Sequence, residues 1–114
     1  MKEFNKKIGF LGEKQAEDYL KSKKYKILTK NFSCVLGEID IVARDKDTIV
    51  FVEVKKRETY LFGSPAEAVD GRKQSKIRKT ALYYLKQYKL TDSPCRFDVI
   101  EIVGENINHI ENAF

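Results

Sequence analysis

The stretch from Gly37 to Arg57, GEIDIVARDKDTIVFVEVKKR, constrains this chain most, because it holds two runs of β-branched residues joined by a charged turn at Asp45–Asp47. The second run, Thr48–Lys55, alternates: Val50, Val52 and Val54 fall on one face, Ile49, Phe51, Glu53 and Lys55 on the other. A carboxylate and an amine therefore project on the same side of an otherwise apolar strand. With Glu38–Ala43 as its first strand, a tight antiparallel hairpin about Lys46–Asp47 sets Asp40 opposite Glu53 and Glu38 opposite Lys55. A longer loop would shift that register by one residue.

Two acids side by side on a sheet repel one another, and desolvation adds to the cost. A hard divalent cation removes the conflict, since Mg²⁺ or Mn²⁺ binds through one or two carboxylates and keeps several waters. Asp40 and Glu53 are the candidate ligands, with the main-chain carbonyl of Val54 as a further one. Lys55, two residues from Glu53, would then polarise a water or offset charge building on a phosphate. The alternative is structural: Glu53 and Lys55 neutralise each other at a sheet edge and Asp40 is solvated.

Around this hairpin the chain reads as α, β, hairpin, short helix, long helix, β, β. Residues 1–7 read as a frayed terminus, and Ile8 to about Lys23 as a helix with Ile8, Gly12, Ala16, Tyr19 and Leu20 on one stripe. Glu13 lies at the edge of that stripe, where a partly exposed, ion-paired helix Glu is one reading. Tyr25–Cys34 reads as a strand. Lys23, Lys24, Lys26 and Lys30 either contact a phosphate backbone or are solvated. After the hairpin, Tyr60 and Phe62 either stack on bases or pack under a loop, and Ser64, Pro65 and Glu67 form the capping box of a short helix.

Gly71–Leu90 is the second organising element, with an apolar stripe of Ile77, Ala81, Tyr84, Leu85 and Tyr88 opposite Arg72, Lys76, Lys79 and Lys86. Residues 72–90 hold seven cations and no acid, so no intrahelical pair can neutralise them. A polyanion such as DNA is the expected compensation. Arg96–Val103 reads as a strand and Ile107–Ile110 as a last one. Asp98 is either an active-site acid or, as favoured here, half of a buried ion pair; His109 reads as a packing or surface residue.

The segments GEKQAEDYL, GEIDIVARD, FVEVKKR, FGSPAEAVDGRKQSKI, RFDVIEIV and INHIENAF, in this order, resemble the YraN family of bacterial proteins, relatives of archaeal Holliday-junction resolvases. Within them, Asp40 followed by Glu53-Val54-Lys55 resembles the D…(D/E)xK signature of the PD-(D/E)xK (restriction-endonuclease-like) nucleases. The resemblance implies an α/β fold with a restriction-endonuclease-like core, a central mixed sheet of about four to five strands flanked by helices. It also implies Mg²⁺-dependent endonuclease chemistry on DNA. Glu13 would be a third carboxylate near the metal, and Lys73 and Gln74 would reach the site. Arg78 stands where relatives with a Q-x-x-x-Y pattern place Tyr.

The 114 residues fit one domain spanning 1–114. The net charge of +5 suits a phosphate-bearing partner. No signal peptide and no apolar run approaching about 18 residues argue for a cytoplasmic chain with no membrane partner. Cys34 and Cys95 lack zinc-ligand spacing and read as free or buried thiols. Cutting a branched junction takes two active sites, hence an expected homodimer. Two rivals stand beside the nuclease: a nucleic-acid-binding module that does not cut, and an interaction domain whose basic helix is merely solvated.

Overall fold

A strand apolar on both faces needs a cover on each side. Here the covers are two helices. The computed structural model describes residues 2–57 and 70–114, with side chains from Gly12 onward. The elements are α1 (Lys2–Ser22), β1 (Lys26–Cys34), β2 (Gly37–Asp45), β3 (Thr48–Arg57), α2 (Gly71–Gln87), β4 (Cys95–Val103) and β5 (Asn106–Ile110). They form the expected α/β fold: one mixed sheet of order β1-β2-β3-β4-β5, antiparallel except for the β3–β4 pair. A parallel pair requires a crossover, and α2 lies within it.

The alternation along β3 sorts the core into two clusters. Ile49 and Phe51 pack with Ile77, Ala81, Tyr84 and Leu85 of α2. Val50 and Val52 pack with Ala16 and Leu20 of α1. Gly12 lets α1 approach closely, since a Cβ there would meet Lys56 Cβ at 3.0 Å. Gly37 does the same for α2: with φ at +153°, its missing Cβ would lie 2.9 Å from Thr80 Oγ1. No helix among the described residues is long and apolar enough to cross a membrane.

Two expectations change. The backbone is helical from Lys2 rather than frayed over residues 1–7, because MKEFNKK contains no helix breaker and continues into α1. Tyr88 leaves the buried stripe. The helix ends at Gln87, and Tyr88 caps it 48% exposed, its ring 4.5 Å from that of Tyr84. The cysteines are free thiols, as read from the sequence, Cys95 exposed and Cys34 half-buried. Tyr60, Phe62 and the Ser64–Glu67 capping box lie outside the described residues.

Candidate active site

The β2–β3 ladder runs from Asp45↔Thr48 to Ile41↔Val52 around a two-residue turn in which Lys46 takes φ +57°. The ladder ends there, one pair short of the expected Asp40–Glu53 pair. Past Ile41, the Asp40 carboxylate, through Oδ2 at 2.8 Å, accepts the Val54 N–H in place of a strand carbonyl. Ile39 packs under α2 while Ile41, two residues on, packs against α1, so the alternation of β2 also breaks at Asp40. Beside this break lies a cavity of about 470 Å³ lined by Gly37, Glu38, Asp40, Glu53, Lys55 and Lys73, among others. The sequence-predicted Asp40, Glu53, Val54 and Lys55 all border it.

The first turn of α2 reaches the same cavity. Asp70 caps that helix by accepting the Lys73 N–H at 2.9 Å, and the Lys73 side chain brings Nζ to 3.1 Å from Glu53 Oε2. Lys55 Nζ stands 3.7 Å from the same oxygen. Glu53 is 6% exposed. Burial and then the charge of Glu53 push the Asp40 carboxyl up to about 7, with Glu13 adding to the rise. Lys55 is shifted down, by burial first and then by its close neighbour Lys73. Lys73 is shifted up: burial opposes this, but its bonds to Lys55 and Glu53 outweigh it. Of two amines in contact, Lys55 is thus the one that gives up its proton more readily.

Glu13 stands close enough for Asp40 and Glu53 to feel its charge. Burial first, and then the charges of Glu53 and Glu38, raise its own pKa against a hydrogen bond from the Asn31 side chain. Asn31 was not singled out in the sequence. It adopts φ +53° inside β1, a conformation that Asn tolerates better than most residues, and an Asn in an otherwise β-prone run was the available signal.

Lys76 borders the acid cavity, and Arg72 joins Lys73 and Lys76 in a shallower depression beside it. Gln74 is half-buried in the same turn and does not line the cavity. Lys79 lies one turn further along α2, by Leu82 and Tyr83. Lys24 is not brought to the site: it takes φ +69° where α1 ends, just before Lys26 pairs with Arg44 near the hairpin turn. That end of β2 is four residues, about 13 Å, from Asp40. Asp98 and His109 are also elsewhere. They form a buried pair, His109 Nε2 to Asp98 Oδ2 at 2.6 Å, reinforced by Arg96.

Among the described residues, no group of three or more His, Cys, Asp or Glu side chains is gathered closely enough to enclose an ion. Two carboxylates beside an open, water-sized space are still a donor set suited to Mg²⁺ or Mn²⁺, which bind through one or two carboxylates and complete their shell with water or phosphate oxygen. The placement of Asp40 and Glu53 on one cavity fits such an ion, because a cation would offset both the burial of the Asp40 charge and its repulsion by Glu53, the causes that push its pKa up.

The comparisons with known proteins agree with the motifs. The family described as "Uncharacterised protein family UPF0102" matches residues 12–102. The chain belongs to this family. A UPF0102 protein of Clostridium acetobutylicum is 49% identical over 120 aligned residues, covering 100% of this chain and 98% of the relative. UPF0102 proteins of Clostridium botulinum strains Kyoto and 657 are 52% and 51% identical, each over 96% of this chain and 95% of the relative. UPF0102 is the family that the motifs resembled under the name YraN. Asp40, Glu53, Lys55 and Lys73 all lie inside the matched span of this UPF0102 protein.

Proposed function

We propose that this UPF0102 protein is a metal-dependent endonuclease that hydrolyses phosphodiester bonds in DNA, with Mg²⁺, or Mn²⁺ in its place, held by Asp40 and Glu53. The observation that carries this reading is the convergence of residues from β2, β3 and α2 on one open cavity: Asp40 and Glu53 both line it, with the amines of Lys55 and Lys73 both on Glu53. When bound, the cation supplies Lewis acidity at a phosphate oxygen and at the attacking water. The Val54 carbonyl is a further ligand, and Glu13 adds negative charge behind the pair.

The chain's own residues do the rest. Lys55, with its lowered pKa, accepts a proton from the attacking water or offsets charge on the phosphate. Lys73 keeps Glu53 in place and stays charged facing the substrate. The first turn of α2 has no acid and carries Arg72 and Lys73 at the positive end of the helix dipole, an arrangement unfavourable without an anion and favourable with one. Lys76 and Lys79 continue this positive surface along α2.

The test is a cleavage panel of single-stranded, duplex, flap and four-way-junction DNA in Mg²⁺ and in Mn²⁺, run beside Glu53→Gln and Lys55→Ala. Each variant is expected to lose at least about 10³-fold in rate while binding DNA as well as wild type or better. Binding that falls with salt at a slope near −0.9 per phosphate contact, with no cleavage of any substrate, points instead to a module that binds without cutting.

A further inference from the structure

We propose that the groove between the β1–β2 turn and the outer face of α2 receives an unpaired nucleobase of the DNA strand whose phosphate lies over Asp40 and Glu53. This rests on the phosphodiesterase reading and narrows its substrate to DNA with an unpaired base beside the cut. The groove, about 210 Å³, is lined by Leu36, Leu82 and Tyr83 between Lys79 and Lys86. Its volume falls below the roughly 300 Å³ at which pockets for drug-sized ligands begin, which suits a single flat ring system. Leu36, Leu82 and Tyr83 are 42%, 49% and 44% exposed, and Val35 beside them is 98% exposed. An apolar patch of this kind on a small domain marks a contact surface.

The lysine rim decides among occupants. An apolar floor between two ammonium groups matches a nucleotide, whose base offers a π-face and whose phosphates offer charge. A second copy meeting this patch across a two-fold axis would set Lys79 and Lys86 against their own counterparts, and residues 72–90 contain no acid to separate them. The groove also neighbours the acid cavity: Leu36 adjoins Gly37 in sequence, Lys79 lies one turn from Lys76, and Gly37 and Lys76 both line the cavity. From Lys76 to Tyr83 the helix rises about 10 Å. This spans about three nucleotide steps of a stacked strand, and fewer once the strand is unstacked. Tyr83 is held ready, its ring 6.3 Å from the core residue Phe32 and tilted by 40°.

The experiment measures DNA binding by fluorescence anisotropy in the full-length Glu53→Gln protein, so that no cleavage intervenes. Two DNAs are compared, a plain duplex and the same duplex with a short single-stranded flap, using Tyr83 intact, Tyr83→Phe and Tyr83→Ala, with calorimetric melting as the folding control. The flapped DNA is expected to bind more tightly. Tyr83→Ala should lose that preference by roughly 5- to 100-fold while binding duplex unchanged, and Tyr83→Phe should keep it. Equal affinities for the two DNAs in all three proteins overturn the proposal, as does a Tyr83→Phe defect as large as that of Tyr83→Ala. So does sedimentation showing that Tyr83→Ala turns a dimer into a monomer. A Tyr83-dependent preference without cleavage by the wild-type protein in Mg²⁺ or Mn²⁺ sinks the phosphodiesterase reading alone, whereas cleavage with a Tyr83-independent preference sinks only the base-docking groove.

Discussion

Two clusters of charge sit on opposite faces of this sheet, Asp98 paired with Val52 and Glu53 with Val99 across β3–β4, and the chain treats them in opposite ways. At the start of β4, Asp98 is fully buried and saturated: it accepts from Arg96 Nε at 3.1 Å, from His109 Nε2 at 2.6 Å and from the Asn112 N–H at 3.0 Å. Arg96 in turn reaches Asp45 at 3.1 Å and the Tyr25 hydroxyl. Burial alone would raise the Asp98 pKa, yet these donors hold it below its usual value. On the other face, beside β3, Asp40 accepts the Val54 N–H, lies near the charges of Glu53 and Glu13, and is pushed up to about 7, by burial first. Both are aspartates on strands, and what separates them is the balance of donors around each. A closed network of donors contributes structure, while the open one leaves carboxylates near one another beside a cavity.

The largest expected effect breaks the closed cluster. Asp98→Ala strips Arg96 of a buried counter-charge and His109 Nε2 of its partner, and should cost about 3–5 kcal/mol in chemical denaturation. A loss under about 1 kcal/mol would erase the contrast between the two clusters. Next is metal binding to the open cluster. Mg²⁺ at a hundred times its dissociation constant should stabilise the wild-type protein by about 2.7 kcal/mol in thermal melts, with no such shift in Asp40→Asn.

In metal-free protein, Asp40→Asn should itself stabilise by about 2 kcal/mol at pH 8, since a buried charge and, with it, the repulsion by Glu53 disappear; solvent at the cavity mouth keeps this below the value the full shift implies. The sign with pH follows. A group raised from 3.8 to about 7 contributes stability that is complete below 3.8 and is lost as pH rises through 7. Denaturation from pH 4 to 8 should therefore show wild type losing ground to Asp40→Asn. Asp98 runs the other way, its contribution present above 3.8 and lost as pH falls through its depressed folded value. The smallest effect is Gly12→Ala. A methyl pressed against Lys56 Cβ should cost about 1 kcal/mol and, by shifting α1, weaken Mg²⁺ binding through Glu13.

Much of the fold was legible in the chain because local periodicity reports which face each residue occupies. The alternation of β3 separated Ile49 and Phe51 from Val50 and Val52, and the helical stripe of α2 picked out Ile77, Ala81, Tyr84 and Leu85. A two-residue turn fixed the count of the β2–β3 ladder as far as Ile41↔Val52, and the family motifs pointed Lys73 to the site it reaches. Other features left no local trace. Nothing in the sequence says that the ladder stops at Ile41 or that Asn31 turns to Glu13.

The sequence by itself determined the two-sided strand, the sign and crowding of its charges, and the cationic helix, because each depends on spacing along a regular backbone. Only the tertiary structure decided which carboxylate is matched and which is left in repulsion. That depends on where distant segments dock: β5 carries His109 to Asp98, and α2 carries Lys73 to Glu53. Electrostatic energy falls off over a few ångströms, so the state of each acid is set by neighbours that are remote along the chain.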